Sequence, residues 1–170
     1  MKKILNKALI DKKIKNIGQT ISKEFIGKNP IFISVLKGSF IFTADLLRSI
    51  KIDCEVEFIK VQSYEGTQST GNVKITSDIK IDLKGRHIII VEDIIDSGKT
   101  INHLFSEFKK KSAKSISIAT FLMKSNQQKF DFAIDYIGFE IKQGFVVGYG
   151  LDYNQKYRNL DSLYVLEEEI

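Results

Sequence analysis

The stretch HIIIVEDIIDSGKT, residues 87–100, decides the fold. Its apolar run is unbroken rather than alternating, which suits a strand buried on both faces, and such strands belong to parallel sheets covered by helices. After Ile95 the chain turns polar through Asp96, Ser97 and Gly98, and helical periodicity follows from Thr100 to Lys111. A buried strand thus runs into a helix through a short turn, the edge at which open α/β sheets bind ligands. Backbone N–H groups from Asp96 to Thr100, including those of Ser97, Gly98 and Lys99, lack helical partners. With the hydroxyls of Ser97 and Thr100 and the helix dipole they make a cradle for phosphate, and Gly98 lets the backbone come close. Gly98-Lys99-Thr100 is not a nucleotide-triphosphate loop, because that motif needs glycine where Asp93 stands. Glu92 and Asp93, placed before an anion cradle, must face something that seeks acceptors, such as sugar hydroxyls or a metal ion. Three acids at the end of a buried strand are hard to explain as structure alone.

Upstream, Ile10, Ile14, Ile17, Ile21 and Phe25 form one apolar stripe, predicting a helix that ends near Gly27 and Pro30. Ile31–Leu36 reads as a short buried strand, Lys37-Gly38-Ser39 as a loop, and Phe40–Ile50 as a helix. Residues 54–61 read as a strand, 63–72 as a long polar, mobile loop, and 73–76 as a second short strand. Further strands are predicted around 115–122, 132–137 and 145–149. The order gives an α/β fold, a mainly parallel twisted sheet flanked by helices, in one domain over 1–170 without repeat or linker.

Composition narrows the function classes. The 170 residues hold 43% hydrophobic and 28% charged residues, which fits a folded domain and not a disordered chain. A single cysteine, Cys54, excludes an intramolecular disulfide, and no Cys/His spacing suggests zinc. The N-terminal MKKILNKALIDKK is interrupted by Asn6, Lys7 and Asp11 before an export signal could form, and no run is long enough to span a membrane. A cytoplasmic protein without a membrane partner is expected. The net charge of +5 is dominated by lysine, and Lys109-Lys110-Lys111 has no interleaved aromatics, so a solvated surface is favoured over an anionic ligand as its cause. The two are compatible, because a phosphorylated substrate needs only a few well-placed cations; no nucleic-acid partner is expected.

Residues 91–100 resemble the phosphoribosyl-pyrophosphate motif of type I phosphoribosyltransferases, in the form of the hypoxanthine-guanine branch. Leu36-Lys37-Gly38-Ser39 is similar to that family's pyrophosphate loop, and Ser63-Tyr64 with Ser69-Thr70-Gly71 to its flexible catalytic loop. Phe145 to Tyr153, continuing through Arg158-Asn159-Leu160, resembles its base-binding and C-terminal signature. The pieces stand in the family's order over about residues 31–160. Two departures are Glu65-Gly66 after Tyr64 and a tail after Leu160 without proline.

The resemblance implies the fold of that family, with a small hood formed by the terminal segments, and an enzyme of purine salvage. It would transfer the phosphoribosyl group from 5-phosphoribosyl 1-pyrophosphate to hypoxanthine or guanine, giving IMP or GMP and pyrophosphate with Mg2+. Asp96 would be the general base at the purine N7. Glu92 and Asp93 would take the ribose hydroxyls directly or through magnesium, and Asp152 a second magnesium. Lys37, Gly38 and Arg158 would hold pyrophosphate, with a cis peptide at the Lys37 loop. Ser63 and Tyr64 would belong to the lid, Phe145 would stack on the base, the Val146 carbonyl would accept from its edge, and Lys124 would donate to O6. A homodimer or homotetramer is also implied. Taken singly, several of these residues have plainer readings: Lys124 as a surface lysine, Phe145 as core, Tyr64 as a loop anchor, Lys37 as a solvated charge, Asp152 and Arg158 as a surface ion pair. His87 reads as a strand-start residue and His103 as a helix-surface residue. The rivals are a relative using xanthine or another base, and a regulator of the same fold that binds nucleic acid.

Overall fold

A computed structural model describes residues 1–63, 73–77, 79–124, 130, 132–142 and 144–166. Its elements are β1 (Lys2–Leu5), α1 (Lys7–Glu24), β2 (Ile31–Leu36), α2 (Phe40–Ser49), β3 (Glu55–Ser63), β4 (Val73–Ile75), β5 (His87–Ile95), α3 (Lys99–Lys110), β6 (Ser115–Lys124), β7 (Tyr136–Ile141), β8 (Phe145–Val147) and β9 (Leu163–Leu166). The main sheet has the order β4-β3-β2-β5-β6-β7. All its pairings are parallel except that of β4 with β3.

The unbroken apolar run of β5 follows from burial on both faces. Ile89 and Val91 enter the cluster under α1 and α2, while Ile88 and Ile90 enter the cluster under α3. In β2, Phe32 joins the first cluster and Ile31 and Ile33 the second. Phe32, Phe42 and Phe121 are each fully buried, and burial of such a side chain contributes about 1.5–3 kcal/mol. Helix α1 starts where the Asn6 side chain accepts from the Leu9 N–H at 2.9 Å, and its isoleucine stripe is the buried face. It is stitched to the end of α2 through Ser22, whose hydroxyl donates to the Gly18 carbonyl and accepts from the Lys51 N–H.

The strand expected at 132–137 lies instead at Tyr136–Ile141. Phe130, Phe132 and Ile134 cover α3: the Phe132 ring stacks on Phe105 at 4.2 Å, and Ile134 packs into the cluster beneath. The Asp135 carboxylate accepts from the Ile118 N–H at 2.8 Å, so parallel pairing with β6 starts only after it. Strand β1 was not legible in the periodicity, because a four-residue, mostly exposed segment bears no pattern. It pairs with β9, and β9 with β8, in a separate antiparallel sheet of order β1-β9-β8. This is the hood of terminal segments, and it holds β8 over the C-terminal edge of the main sheet. His87 opens β5, its Nδ1 2.6 Å from the Ser115 hydroxyl, and His103 lies on α3.

Candidate active site

Four segments meet where the parallel strands end. They are the loop after β2, the turn between β5 and α3, the end of β6, and the chain from β8 to Arg158. Their side chains line three adjoining cavities that share residues.

The first, of about 110 Å³, is bounded by Asp96, Ser97, Gly98 and Thr100 with Glu92 at its floor. Gly98 has φ 68°, the left-handed region open to glycine, and this aims the turn into α3. Lys99 is exposed and does not line the cavity, so its contribution is its backbone N–H at the first helical position. The second, of about 260 Å³, is lined by Lys37, Gly38, Glu92, Asp93, Asp152 and Arg158, among others. The third, of about 240 Å³, is lined by Asp93, Asp96, Lys124, Phe145, Val146 and Asp152, among others. Larger hollows of about 310 and 470 Å³ lie between α1 and α2 and beside Lys80 and Lys84, away from this convergence of strand ends.

The segments touch closely. A Cβ on Gly38 would fall 1.5 Å from an Asp93 carboxylate oxygen, and one on Gly150 would fall 2.1 Å from the Gly38 carbonyl. Only glycines allow this stacking of the Lys37 loop on the acid pair and of the hood on that loop. The Leu36–Lys37 peptide is cis. Arg158 is aimed by three contacts: Nη1 donates to the Gly150 carbonyl at 2.8 Å, Nη2 pairs with Asp152 at 2.7 Å, and Nη2 donates to the Gln155 amide oxygen at 3.3 Å. The same oxygen accepts from Lys37 Nζ at 3.4 Å, so one neutral side chain touches both cations. Asn154, Gln155 and Tyr157 adopt φ of 51°, 64° and 74°, conformations uncommon outside glycine that cluster at functional loops.

Electrostatics divides the acids. Glu92 is buried, its Oε2 has no hydrogen-bond partner among the described residues, and burial beside the charge of Asp93 pushes its carboxyl well above the usual range. Asp93 retains some surface at the cavity floor, yet the protein around it pushes its carboxyl up to about 6. The N–H groups of Ile94 and of Asp93 itself, together with Arg158, pull against that rise. Asp96 is half exposed and bonds Lys124 Nζ at 2.6 Å. Among the described residues, no three His, Cys, Asp or Glu side chains are grouped to hold a metal by themselves.

Of the residues named from the sequence, Lys37, Gly38, Glu92, Asp93, Asp96, Ser97, Gly98, Thr100, Lys124, Phe145, Val146, Asp152 and Arg158 all line these cavities. Phe145 is not core: it is 54% exposed, with its ring edge-on to Tyr153 at 5.5 Å. Ser63 closes β3, paired with Val73. Tyr64 and the rest of the loop expected at 63–72 lie outside the described residues. Gln155 was missed, because a single glutamine between Asn154 and Lys156 carries no signal until folding brings it to Lys37.

A family model described as the phosphoribosyl transferase domain matches residues 1–154. The chain belongs to the phosphoribosyltransferase family. It is 45% identical over 157 residues to a hypoxanthine-guanine phosphoribosyltransferase of Streptococcus pneumoniae, spanning 92% of this chain and 87% of that one. It is 43% identical over 170 residues to the protein of that name from Bacillus subtilis, spanning 99% and 94%. Among solved structures, a hypoxanthine-guanine phosphoribosyltransferase of Bacillus anthracis superposes with a TM-score of 0.92 at 39% identity, covering 98% of this chain and 99% of that one. The α/β architecture expected from residues 87–100 is the architecture of this phosphoribosyltransferase family.

Proposed function

We propose that this chain transfers the 5-phosphoribosyl group of 5-phosphoribosyl 1-pyrophosphate to hypoxanthine and guanine, giving IMP or GMP and releasing pyrophosphate. The observation that carries the reading is the junction of three cavities around Glu92 and Asp93. One is an anion cradle at a helix N-terminus, one holds two cations, and one sets a ring, a lysine and a carboxylate together. A ribose with a phosphate at one end, a pyrophosphate at the other and a planar base arriving beside it matches all three. The relatives that carry this activity in their names cover nearly the whole chain.

Each residue then has a task. The turn Asp96–Thr100 binds the 5-phosphate, and Glu92 and Asp93 take the ribose hydroxyls, which give the unpaired Glu92 oxygen a partner. Lys37 and the Gly38 N–H hold the departing pyrophosphate, joined by Arg158 as it leaves Asp152. A 6-oxopurine presents O6 as acceptor and N7–H as donor along one edge, and the Lys124–Asp96 pair is its complement. The base enters between them, Lys124 donating to O6 and Asp96 accepting the N7 proton as general base. Phe145 offers its exposed face for stacking, and the Val146 carbonyl accepts from the base edge. Adenine would set an amino group against the ammonium, leaving a donor unpaired. Bound magnesium would spread the charge of the leaving group. Asp93 and Asp152, with Glu92 acting through the ribose hydroxyls, fit it as partial ligands whose shell substrate and water oxygens complete.

The same reading places the enzyme in the cytoplasm, in one domain over 1–170, as a homodimer or homotetramer. In support of self-association, Val56 and Phe58 leave 40% and 42% of their surface exposed on one face of β3. Light scattering at micromolar concentration should show a multiple of 19.4 kDa, and a fully active monomer would refute it.

Lys124→Ala and Arg158→Ala test the assignment together. Lys124→Ala removes a charged hydrogen bond worth about 1.5–3 kcal/mol, so hypoxanthine use should fall about tenfold to a hundredfold with the KM for the sugar substrate unchanged. Arg158→Ala should do the reverse. Equal losses for both substrates in both variants would show structural roles instead.

A further inference from the structure

Ser39 stands at the N-cap of α2, yet its hydroxyl makes no bond to the N–H groups of that helix. It donates backwards to the Val35 carbonyl at 2.5 Å, across the base of the loop that carries Lys37 and Gly38. Its oxygen lies 2.8 Å from the Ser34 hydroxyl, and Ser34 lies 2.7 Å from the Thr43 hydroxyl on the first turn of α2. Ser34, Ser39 and Thr43 are 0, 0 and 1% exposed, so solvent does not satisfy them.

Because each hydroxyl has one proton, the direction of the chain is determined. Ser39 spends its proton on Val35, so Ser34 must donate to Ser39, and Thr43 must donate to Ser34. The relay runs from α2 through the middle of β2 to the last residues before the loop and the first after it. Three buried hydroxyls in an otherwise apolar cluster are costly unless each is satisfied, and here satisfaction is obtained only with the loop ends at this separation. An ordinary cap would leave the loop ends untied.

We propose that Ser34, Ser39 and Thr43 are the positioning residues of the pyrophosphate loop, fixing the Gly38 N–H and the Lys37 stem in register with Asp93 before substrate arrives. This rests on the assignment of Lys37 and Gly38 to pyrophosphate. The relay touches no substrate and acts through the loop.

Thr43→Val keeps shape and removes the first donor, Thr43→Ser keeps the hydroxyl, and Ser39→Ala cuts the bond to Val35. For each, the KM values of both substrates, kcat, inhibition by pyrophosphate and the melting temperature are measured. Thr43→Val should raise the KM for 5-phosphoribosyl 1-pyrophosphate about three- to tenfold and weaken pyrophosphate inhibition by a like factor, the size of one lost neutral hydrogen bond. The hypoxanthine KM should stay, Thr43→Ser should behave as wild type, and Ser39→Ala should lose more, since it strands the Ser34 proton. A lowered melting temperature with unchanged pyrophosphate and sugar-substrate affinity in Thr43→Val would reduce the relay to core packing and overturn the proposal, even if Ser39→Ala fails to fold. Lys37→Ala serves as the control. If it weakens pyrophosphate while Thr43→Val does not, the relay idea falls alone. If neither weakens it, the loop assignment falls and the relay with it.

Discussion

Asp93→Asn should make the substrate-free protein more stable at pH 8 and less active. The Asp93 carboxyl is pushed from 3.8 to about 6, burial being the main cause. An acid with a raised value in the folded state binds more protons folded than unfolded between those two values. Its contribution to stability therefore falls as pH rises through that window, and above about pH 6 a buried charge remains that Arg158 and the nearby N–H groups offset only in part. At about 1.4 kcal/mol per pH unit the full cost is about 3 kcal/mol. Asparagine carries no charge and its amide oxygen still accepts from the Ile94 N–H, a bond of 2.9 Å in the wild type. It also removes the charge that faces Glu92. For a chain of this length 3 kcal/mol is a rise of about 6–12 °C in melting temperature. Thermal melts by circular dichroism from pH 4 to 8, in chelator and without substrate, should show the gain at pH 8 and its disappearance near pH 4. No gain at pH 8, or an equal gain at both ends, would refute the reasoning.

Asp96→Asn keeps size but cannot take a proton, so kcat should fall by about a hundred to ten-thousand-fold while sugar-substrate affinity holds. Its exposed pair with Lys124 is worth about 0–1 kcal/mol, so the melting point should barely move, and an unchanged kcat in steady-state assays would remove Asp96 from the mechanism. Gly38→Ala must displace either the loop or Asp93, since the new Cβ would lie 1.5 Å from a carboxylate oxygen. A shift of that order costs about a hundredfold in catalysis, read as kcat/KM for the sugar substrate, and a near-normal value would show that the loop adapts.

The sequence revealed those parts of the fold that need long patterns. The run from His87 to Ile95 announced a doubly buried strand, and α1 showed its stripe, because burial imposes a period on every residue of such elements. Strands β1 and β9 are four residues long and paired across nearly the whole chain, as Lys2 is with Val165, so no local period reports them, whereas β8 falls within the strand expected at 145–149. The displaced β7 was misread because Phe130, Phe132 and Ile134 are apolar for the sake of α3 and not of a sheet. Within the site, the acids beside the Asp96–Thr100 turn were legible as chemistry. Lys124, Phe145 and Arg158 gained roles only through family resemblance, and Gln155 and the Ser34–Ser39–Thr43 relay only through tertiary contact.

The most direct measurement of the central claim is the rate of nucleotide formation from 5-phosphoribosyl 1-pyrophosphate and magnesium with hypoxanthine, guanine, xanthine, adenine and uracil in parallel. Lys124 and Asp96, bonded at 2.6 Å and lining one cavity with Phe145 and Val146, are the pair proposed to read the base and set the expected order. Hypoxanthine and guanine should give IMP and GMP with stoichiometric pyrophosphate, and adenine and uracil should give rates lower by at least about a hundredfold. Turnover of adenine comparable to that of hypoxanthine, or no nucleotide from any 6-oxopurine, would contradict the account.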